Sequence, residues 1–177
     1  MKATGIVRRI DELGRIVIPK EIRKTLRLRE GENLEIYTNG DEIILKKYSL
    51  MNKLEDFASD FTDSIYTFLK YNIIITDTDK IIAASGPIKK EVLNRQISDE
   101  LENHIARRDN MLESFEKSIK IVSDEDEYVG SYAMSTIVAN GDAVGLVFLF
   151  SDSDKLSEAE KKIAEIAANF LSKYLEN

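Results

Sequence analysis

The sequence predicts a protein of two domains, a small β-rich domain that forms a closed barrel only by dimerisation and an α+β domain with an antiparallel sheet and helices. Three observations indicate this fold class. The first fifty or so residues alternate β-branched runs with turn residues, whereas a helical spacing of apolar residues begins at Leu50. Charge is unevenly distributed along the chain. Later apolar runs are long enough to be the central strands of a larger sheet.

The charge changes sign along the chain. The 177 residues include 25 Lys or Arg and 32 Asp or Glu, for a net charge of -7. Residues 1–29 nevertheless contain nine basic and three acidic residues, so the acidic excess lies further along the chain. This asymmetry indicates a basic segment for an anionic partner and an acidic segment with another role.

The N-terminal residues predict two short strands and a helix. GIVRRI (5–10) and RIVI (15–18) are rich in β-branched residues, and residues 11–14 supply the turn between them. Pro19 suits the first position of a short helix over KEIRKTL.

A hairpin is predicted next. LEIYT and DEIILKK flank Asn39-Gly40, and both central residues of a type I′ turn need positive φ, which Asn and Gly tolerate. A unit of about fifty residues cannot bury enough apolar surface alone, and its short strands leave open edges. We therefore expect two chains to complete the domain by sharing strands.

The second domain begins with a predicted helix. Its apolar residues recur every three or four positions: Leu50, Leu54, Phe57, Phe61, Ile65 and Phe68. Two interpretations remain open, a helix lying on its own domain's sheet and a helix contacting a second chain.

The rest of the sequence has the pattern of strands and helices expected for an α+β domain. Residues 71–87 predict a hairpin, residues 91–115 predict helix in two pieces, the second around Leu112 and Phe115, and residues 118–122 predict a strand. SYAMSTIVANG and AVGLVFLFS predict adjacent central strands.

The final helix is predicted from a capping box. Ser157 and Glu160 have the spacing with which each side chain satisfies a free backbone N–H at a helix start. The predicted apolar face is Ile163, Ile166, Ala167, Phe170 and Tyr174.

Catalytic and metal-binding signatures are missing from the sequence. It has no cysteine, one histidine (His104), and none of the usual nucleophile-elbow or phosphate-loop motifs. The acidic runs at 77–79 and 124–127 lack the spacing of a calcium loop and are interpreted as solvated loops. We expect no enzyme activity, no metal, no cofactor and no membrane association, and a cytoplasmic location.

The basic segment predicts a nucleic-acid interface. Arg8 and Arg9 fall on the first strand, Arg15 opens the second, and Arg23 and Lys24 fall on the helix. The planar fork of arginine suits phosphates and guanine edges. The alternative is a solvated face partly neutralised by nearby acidic residues.

Residues 3–48 resemble the swapped-hairpin domain of AbrB-type transition-state regulators, whose recognisable core is LGRIVIPKEIR in this chain. The whole chain resembles a regulator of this type that carries a GAF domain. The resemblance implies a DNA-binding domain at 1–50, a linker or dimer helix at 51–70 and a GAF-like regulatory and oligomerisation domain at 71–177. It further implies a sequence-specific activator or repressor of sporulation genes, associated with the nucleoid.

The resemblance also implies which residues face double-stranded DNA. They are Arg8, Arg15, Arg23 and Lys24, with Arg9, Lys2 and Lys20 as secondary candidates. Lys24 departs from the arginine common in the family and replaces a fork with a point charge.

The implied assembly is a homodimer through the N-terminal domain and a homotetramer through helices near 50–70 and 156–176. An unidentified small molecule is the expected signal if the GAF-like domain binds one. Two alternatives remain: an antitoxin that neutralises a toxin and regulates its own operon, and an enzyme that metabolises a signal.

Overall fold

The computed structural model describes residues 4–31, 33–48, 51 and 54–176, and the chain divides into two compact units, residues 1–48 and 49–177. The first unit contains a short helix, α1 (Lys20–Thr25), and two antiparallel strands, β1 (Leu34–Asn39) and β2 (Glu42–Lys47). Asn39 pairs with Glu42, and Gly40 in the turn has φ +57°, which confirms the predicted hairpin.

The predicted strands at 5–10 and 15–18 are absent from the single chain, where neither segment has a strand partner. A strand is defined by hydrogen bonds to a neighbouring strand, and the two-stranded sheet of this unit contains only β1 and β2. The strand prediction is therefore wrong for one isolated chain.

The first unit has no buried core of its own. None of the described residues from 4 to 48 is fully buried, and Val7 and Ile43 are 87% and 69% exposed. A groove of about 400 Å³ runs over its apolar side chains, lined by Ile18, Ile22, Leu26, Leu28, Leu34, Ile43, Leu45 and Lys47.

The second unit is an α+β domain. It begins with helix α2 (Glu55–Leu69), followed by β3 (Asn72–Thr76), β4 (Ile81–Ser85), α3 (Lys89–Val92), α4 (Asp99–Arg107), β5 (Asn110–Ile119), β6 (Tyr128–Ala139), β7 (Asp142–Ser151) and α5 (Glu158–Leu175). The five strands form one antiparallel sheet in the order β4-β3-β7-β6-β5. The α+β fold class is confirmed, as is the adjacency of β6 and β7.

Two apolar layers enclose the sheet. One cluster joins Ile73 and Val147 to residues of α2 and α5, and the other joins Ile74 and Phe148 to residues of α3 and α4. Successive strand residues point to opposite faces, so strands buried on both faces are nearly continuous in apolar residues. Every residue of β3 and β4 is buried.

The predicted second helical piece around Leu112 and Phe115 is wrong, because these residues lie in β5. Helix α4 ends at Arg107, the following residue Arg108 has φ +58°, and Leu112 then pairs with Ala133 of β6. The helical spacing of apolar residues over this short stretch was misleading, because pairing of β5 with β6 decides its structure. The strand predicted at 118–122 ends at Ile119.

Helix α5 begins with the predicted capping box at Ser157 and Glu160. Its buried residues are Ala164, Ala167, Ala168 and Leu171, whereas Ile166, Phe170 and Tyr174 of the predicted face remain exposed.

On α2, Phe57 stacks on Tyr174 with ring centroids 4.7 Å apart, and Phe61 stacks on Phe170 at 5.5 Å. Phe68 is 87% exposed, contrary to its predicted place on the apolar face, and Leu50 lies outside the described residues. No helix in the described ranges has the length and apolar character needed to cross a membrane.

Candidate nucleic-acid interface

The turn before Arg15 is built by Asp11. Its Oδ1 accepts hydrogen bonds from the backbone N–H groups of Leu13 and Arg15, at 3.0 and 2.8 Å. Gly14 has φ +75° and donates its N–H to the Asp11 carbonyl, a conformation that favours glycine. The sequence DELGR thus folds into a compact loop.

The same carboxylate also orients the Arg15 guanidinium. Arg15 Nε donates to Asp11 Oδ2 at 2.8 Å, and the Arg15 side chain is 71% exposed. Its two terminal nitrogens have no partner within the part of the chain that the structure describes. Asp11 therefore holds the guanidinium at Nε and leaves the two terminal nitrogens available to a ligand.

Hydrogen bonds lower the pKa of Asp11 below its ordinary value of 3.8, first from the Arg15 backbone N–H and then from the Arg15 side chain. A carboxyl whose pKa is lowered in the folded state stabilises that state at neutral pH. That contribution is lost as the pH falls through the lowered pKa. The ionised carboxylate that accepts these hydrogen bonds is thus the form present at neutral pH.

Helix α1 carries the next three basic residues. Lys20 opens the helix, and Arg23 and Lys24 lie in its last turn. The Arg23 N–H donates to the Pro19 carbonyl, and Leu26 N–H to the Ile22 carbonyl, both at 2.9 Å. These backbone bonds hold one regular turn that displays exposed basic side chains.

The other candidates precede the turn. Arg8 and Arg9 are exposed, and Lys2 lies outside the described residues. Within those residues, the side chains of Arg8, Arg9, Lys20, Arg23 and Lys24 have no ion-pair or hydrogen-bond partner. Their charges are therefore available to an external anion.

Neutralisation by nearby acidic residues accounts for only one of these charges. Asp11 pairs with Arg15, whereas Glu12 and Glu21 form no ion pair with the described residues. Sequence reasoning assigned Asp11 to the turn and counted it as a neutralising charge, but it missed the contact that orients the Arg15 side chain. The i,i+4 spacing of Asp11 and Arg15 around Gly14 was the available signal.

His104 and Asp77 of the second unit both have structural partners. His104 Nδ1 lies 2.6 Å from Asp109 Oδ2, with the histidine side chain 15% exposed. Asp77 is buried and accepts hydrogen bonds from the N–H groups of Asp79 and Lys80. Burial raises the Asp77 pKa, and these bonds oppose the rise. The interpretation of residues 77–79 as a solvated loop is thus wrong for Asp77.

The exposed basic segment joined to an α+β domain defines a two-domain transcription regulator. A family model described as stage V sporulation protein T C-terminal, transcription factor, matches residues 53–176. The chain is 51% identical to stage V sporulation protein T of Bacillus subtilis (strain 168) over 177 residues, covering 99% of each chain. The chain therefore belongs to the stage V sporulation protein T family.

The first unit also matches other proteins. It is 62% identical over 48 residues to the transition state regulatory protein AbrB of Bacillus subtilis (strain 168), which covers 27% of this chain and 50% of that protein. A model described as antidote-toxin recognition MazE, bacterial antitoxin, matches residues 7–51. The predicted AbrB-type class of the first unit is confirmed.

The second unit has a structural counterpart of different sequence. The type II free methionine-R-sulfoxide reductase from Thermoplasma acidophilum matches with a TM-score of 0.52 and 17% identity, over 69% of this chain and 94% of that one. This likeness concerns the fold alone. It agrees with the predicted α+β fold of this unit, an antiparallel sheet with helices.

We expect Arg15→Ala to raise the pKa of Asp11 part of the way toward its ordinary value. The variant removes the guanidinium hydrogen bond and keeps the one from the backbone of residue 15. The measurement is a pH titration of the Asp11 carboxyl by NMR in both proteins. Glu12→Gln is the control and should leave the midpoint unchanged. An unchanged midpoint in Arg15→Ala would contradict the positioning role of Asp11.

Proposed function

We propose that the chain is a sequence-specific DNA-binding regulator of sporulation genes, acting through its N-terminal unit. The observation that carries this proposal is the exposed set of basic side chains along residues 8–24, unpaired except for Arg15, in a chain of net charge -7. Membership of a transcription factor family supports it. Basic clusters of this kind supply the phosphate contacts on which DNA affinity depends.

Within this segment, Arg8, Arg15, Arg23 and Lys24 are the proposed DNA contacts, with Arg9, Lys20 and Lys2 as secondary ones. Arg15 is the strongest candidate for reading a base, because Asp11 holds its Nε and its terminal nitrogens can form the bidentate pair that guanine accepts. Lys24 is a point charge and is assigned to phosphate. Lys20, at the start of α1, is also assigned to phosphate.

The N-terminal unit is proposed to dimerise by exchanging strands. Support comes from the missing buried core, the unpaired segments at 5–10 and 15–18 and the apolar groove that includes Ile43 and Leu45. A second copy would supply both the missing strand partners and the missing apolar cover. The basic residues would then be doubled on one particle.

Dimers are proposed to pair into tetramers through α2 and α5. Ile166, Phe170 and Tyr174 are exposed on α5, and Phe57 and Phe61 of α2 stack against the last two. Apolar faces of this extent on a helix pair are typical of contacts between protein chains. Domain boundaries at 1–50, 51–70 and 71–177 place this face in the linker helix and the regulatory domain.

The remaining assignments follow from the proposed DNA partner and from the family to which the chain belongs. We assign the protein to the cytoplasm, at the nucleoid, with no catalytic activity of its own. The antitoxin alternative is weaker, because residues 49–177 form a layered domain with two apolar cores, whereas antitoxin tails are usually poorly structured. The family match over nearly the whole chain also favours the regulator.

We expect steep salt dependence of DNA binding. Four basic residues in each of two chains would neutralise roughly eight phosphates, giving a slope of about -7 for log K against log salt. Fluorescence anisotropy on a random duplex and on sequences enriched from a library measures this slope. Arg15→Ala and Arg23→Ala should each abolish tight binding and flatten the slope, with circular dichroism unchanged.

Two further variants sharpen this experiment. Arg107→Ala removes an exposed arginine from the second unit and should leave DNA affinity unchanged. Arg15→Lys keeps the charge and removes the fork, so it should retain binding to random DNA and lose preference for the enriched sequences. Absence of binding by the parent protein at low salt would refute the proposed function.

We expect Ile43→Asp to break the N-terminal dimer, because the carboxylate would be buried without a partner at the shared groove. Sedimentation velocity should show a fall from four chains to two. Val129→Asp places the same charge at a 55% exposed apolar site in β6 and should leave the mass unchanged.

Phe170→Asp should separate the tetramer at its other interface. The residue is 47% exposed and stacks on Phe57 and Phe61, so a charge there would oppose association of the helix faces. This variant should also sediment as two chains, and the double variant with Ile43→Asp as one. A tetrameric Phe170→Asp protein would exclude α5 from the assembly.

A further inference from the structure

A polar groove lies between α5 and the sheet of the second unit. It has a volume of about 470 Å³, which is within the range of small-molecule sites. Its helical side is one stripe of α5, in which Glu165, Asn169, Ser172 and Lys173 lie on the same face. The lining is therefore mostly hydroxyl, amide and charged groups.

Hydrogen bonds fix the helix to the sheet at both ends of this stripe. At one end, Asn110 Nδ2 donates to Glu165 Oε1 at 2.9 Å. Toward the other, the Val138 N–H donates to Ser172 Oγ at 3.2 Å, and the Asn140 N–H donates to Glu176 Oε1 at 3.0 Å. The groove between them is therefore bounded by elements that are hydrogen-bonded to each other.

Ser135 presents a hydroxyl to the groove. It lies on β6 on the same sheet face as Ala133 and Ile137, beneath α2 and α5, and the residue is only 6% exposed. Its hydroxyl has no hydrogen-bond partner among the described residues, and its oxygen is not fully buried. A molecule in the groove can therefore hydrogen-bond to this hydroxyl in place of water.

The charged groups at the groove define the class of molecule. Glu165 is held ionised, because hydrogen bonds from Lys162 and then from Asn110 lower its pKa. Lys173 supplies a positive charge eight residues further along α5, about 12 Å along the helix axis. An extended dipeptide is about 7 Å long, and the two long side chains can close the remaining distance.

We propose that this groove binds a small zwitterion of dipeptide size, with its ammonium group at Glu165, its carboxylate at Lys173 and a central polar atom on Ser135. Asn169 offers a further amide, since its side chain has no protein partner among the described residues. The site does not depend on DNA binding by the first unit.

The groove lies beside the helix face through which the tetramer is proposed to form. Asn169 and Lys173 also line a shallow depression on the neighbouring side of α5, together with Ile166 and Phe170. A bound molecule would thus contact the helix that carries the proposed tetramer face. This consequence rests on the proposed function, whereas the binding site itself does not.

The test is calorimetric titration of the full-length protein with alanylalanine and glycylglycine at millimolar concentrations, beside their N-acetylated amides. At least one dipeptide should bind saturably, and the neutral amides should not. Ser135→Ala should weaken binding about tenfold or more while leaving the melting temperature of the free protein unchanged, since no protein hydrogen bond is lost.

Matched variants separate the groove from the rest of the surface. Glu165→Gln should weaken dipeptide binding, and Glu158→Gln, which removes a carboxylate from the first turn of the same helix outside the groove, should not. Failure of both dipeptides to bind, equal binding of the amides, or unchanged affinity in both groove variants would overturn the proposal. DNA binding measured in parallel tests the proposed function of the first unit separately from dipeptide binding by the second unit.

Discussion

The first unit cannot bury its own apolar residues, and this constraint underlies the proposed organisation of the protein. Val7, Leu13 and Val17 are largely exposed, and the apolar groove beside β2 lacks a cover. At about 25 cal/mol per Å² of apolar surface, leaving such a set in water forfeits much of the stabilisation that a small domain can gain. In the proposed dimer, a second copy would remove this deficit and would bring two basic segments into one particle.

Charge is arranged consistently with that organisation. The basic excess lies in the first 29 residues, and the acidic excess follows in the second unit. Among the described residues of the basic segment, Asp11 is the acidic residue that forms an ion pair, and it contacts Arg15 through Nε. An exposed pair of this kind contributes little to stability. In the proposed function, the pair restricts the arginine to one direction and would reduce the entropy lost on binding DNA.

The second unit obtains its stability in a different way. Its sheet is covered on both faces, so β3, β4 and most of β7 are buried without help from another chain. What remains exposed on α2 and α5 is an aromatic strip in addition to a completed core. The proposed association of this unit could therefore change without unfolding it, as a regulatory interface requires.

Local sequence determined the features whose physics is local. The Asn39-Gly40 hairpin, the capping box of α5 and the central strands β6 and β7 follow from φ preferences, from backbone hydrogen bonds at a helix start and from long apolar runs. The exposed basic residues were also predicted from the sequence, together with the family resemblance. Tertiary structure alone decided that Leu112 and Phe115 belong to a strand, because pairing with β6 outweighs a short helical spacing. It also placed Ser135 without a partner beneath α5 and joined Asp11 to Arg15, since both depend on where the folded backbone directs a side chain.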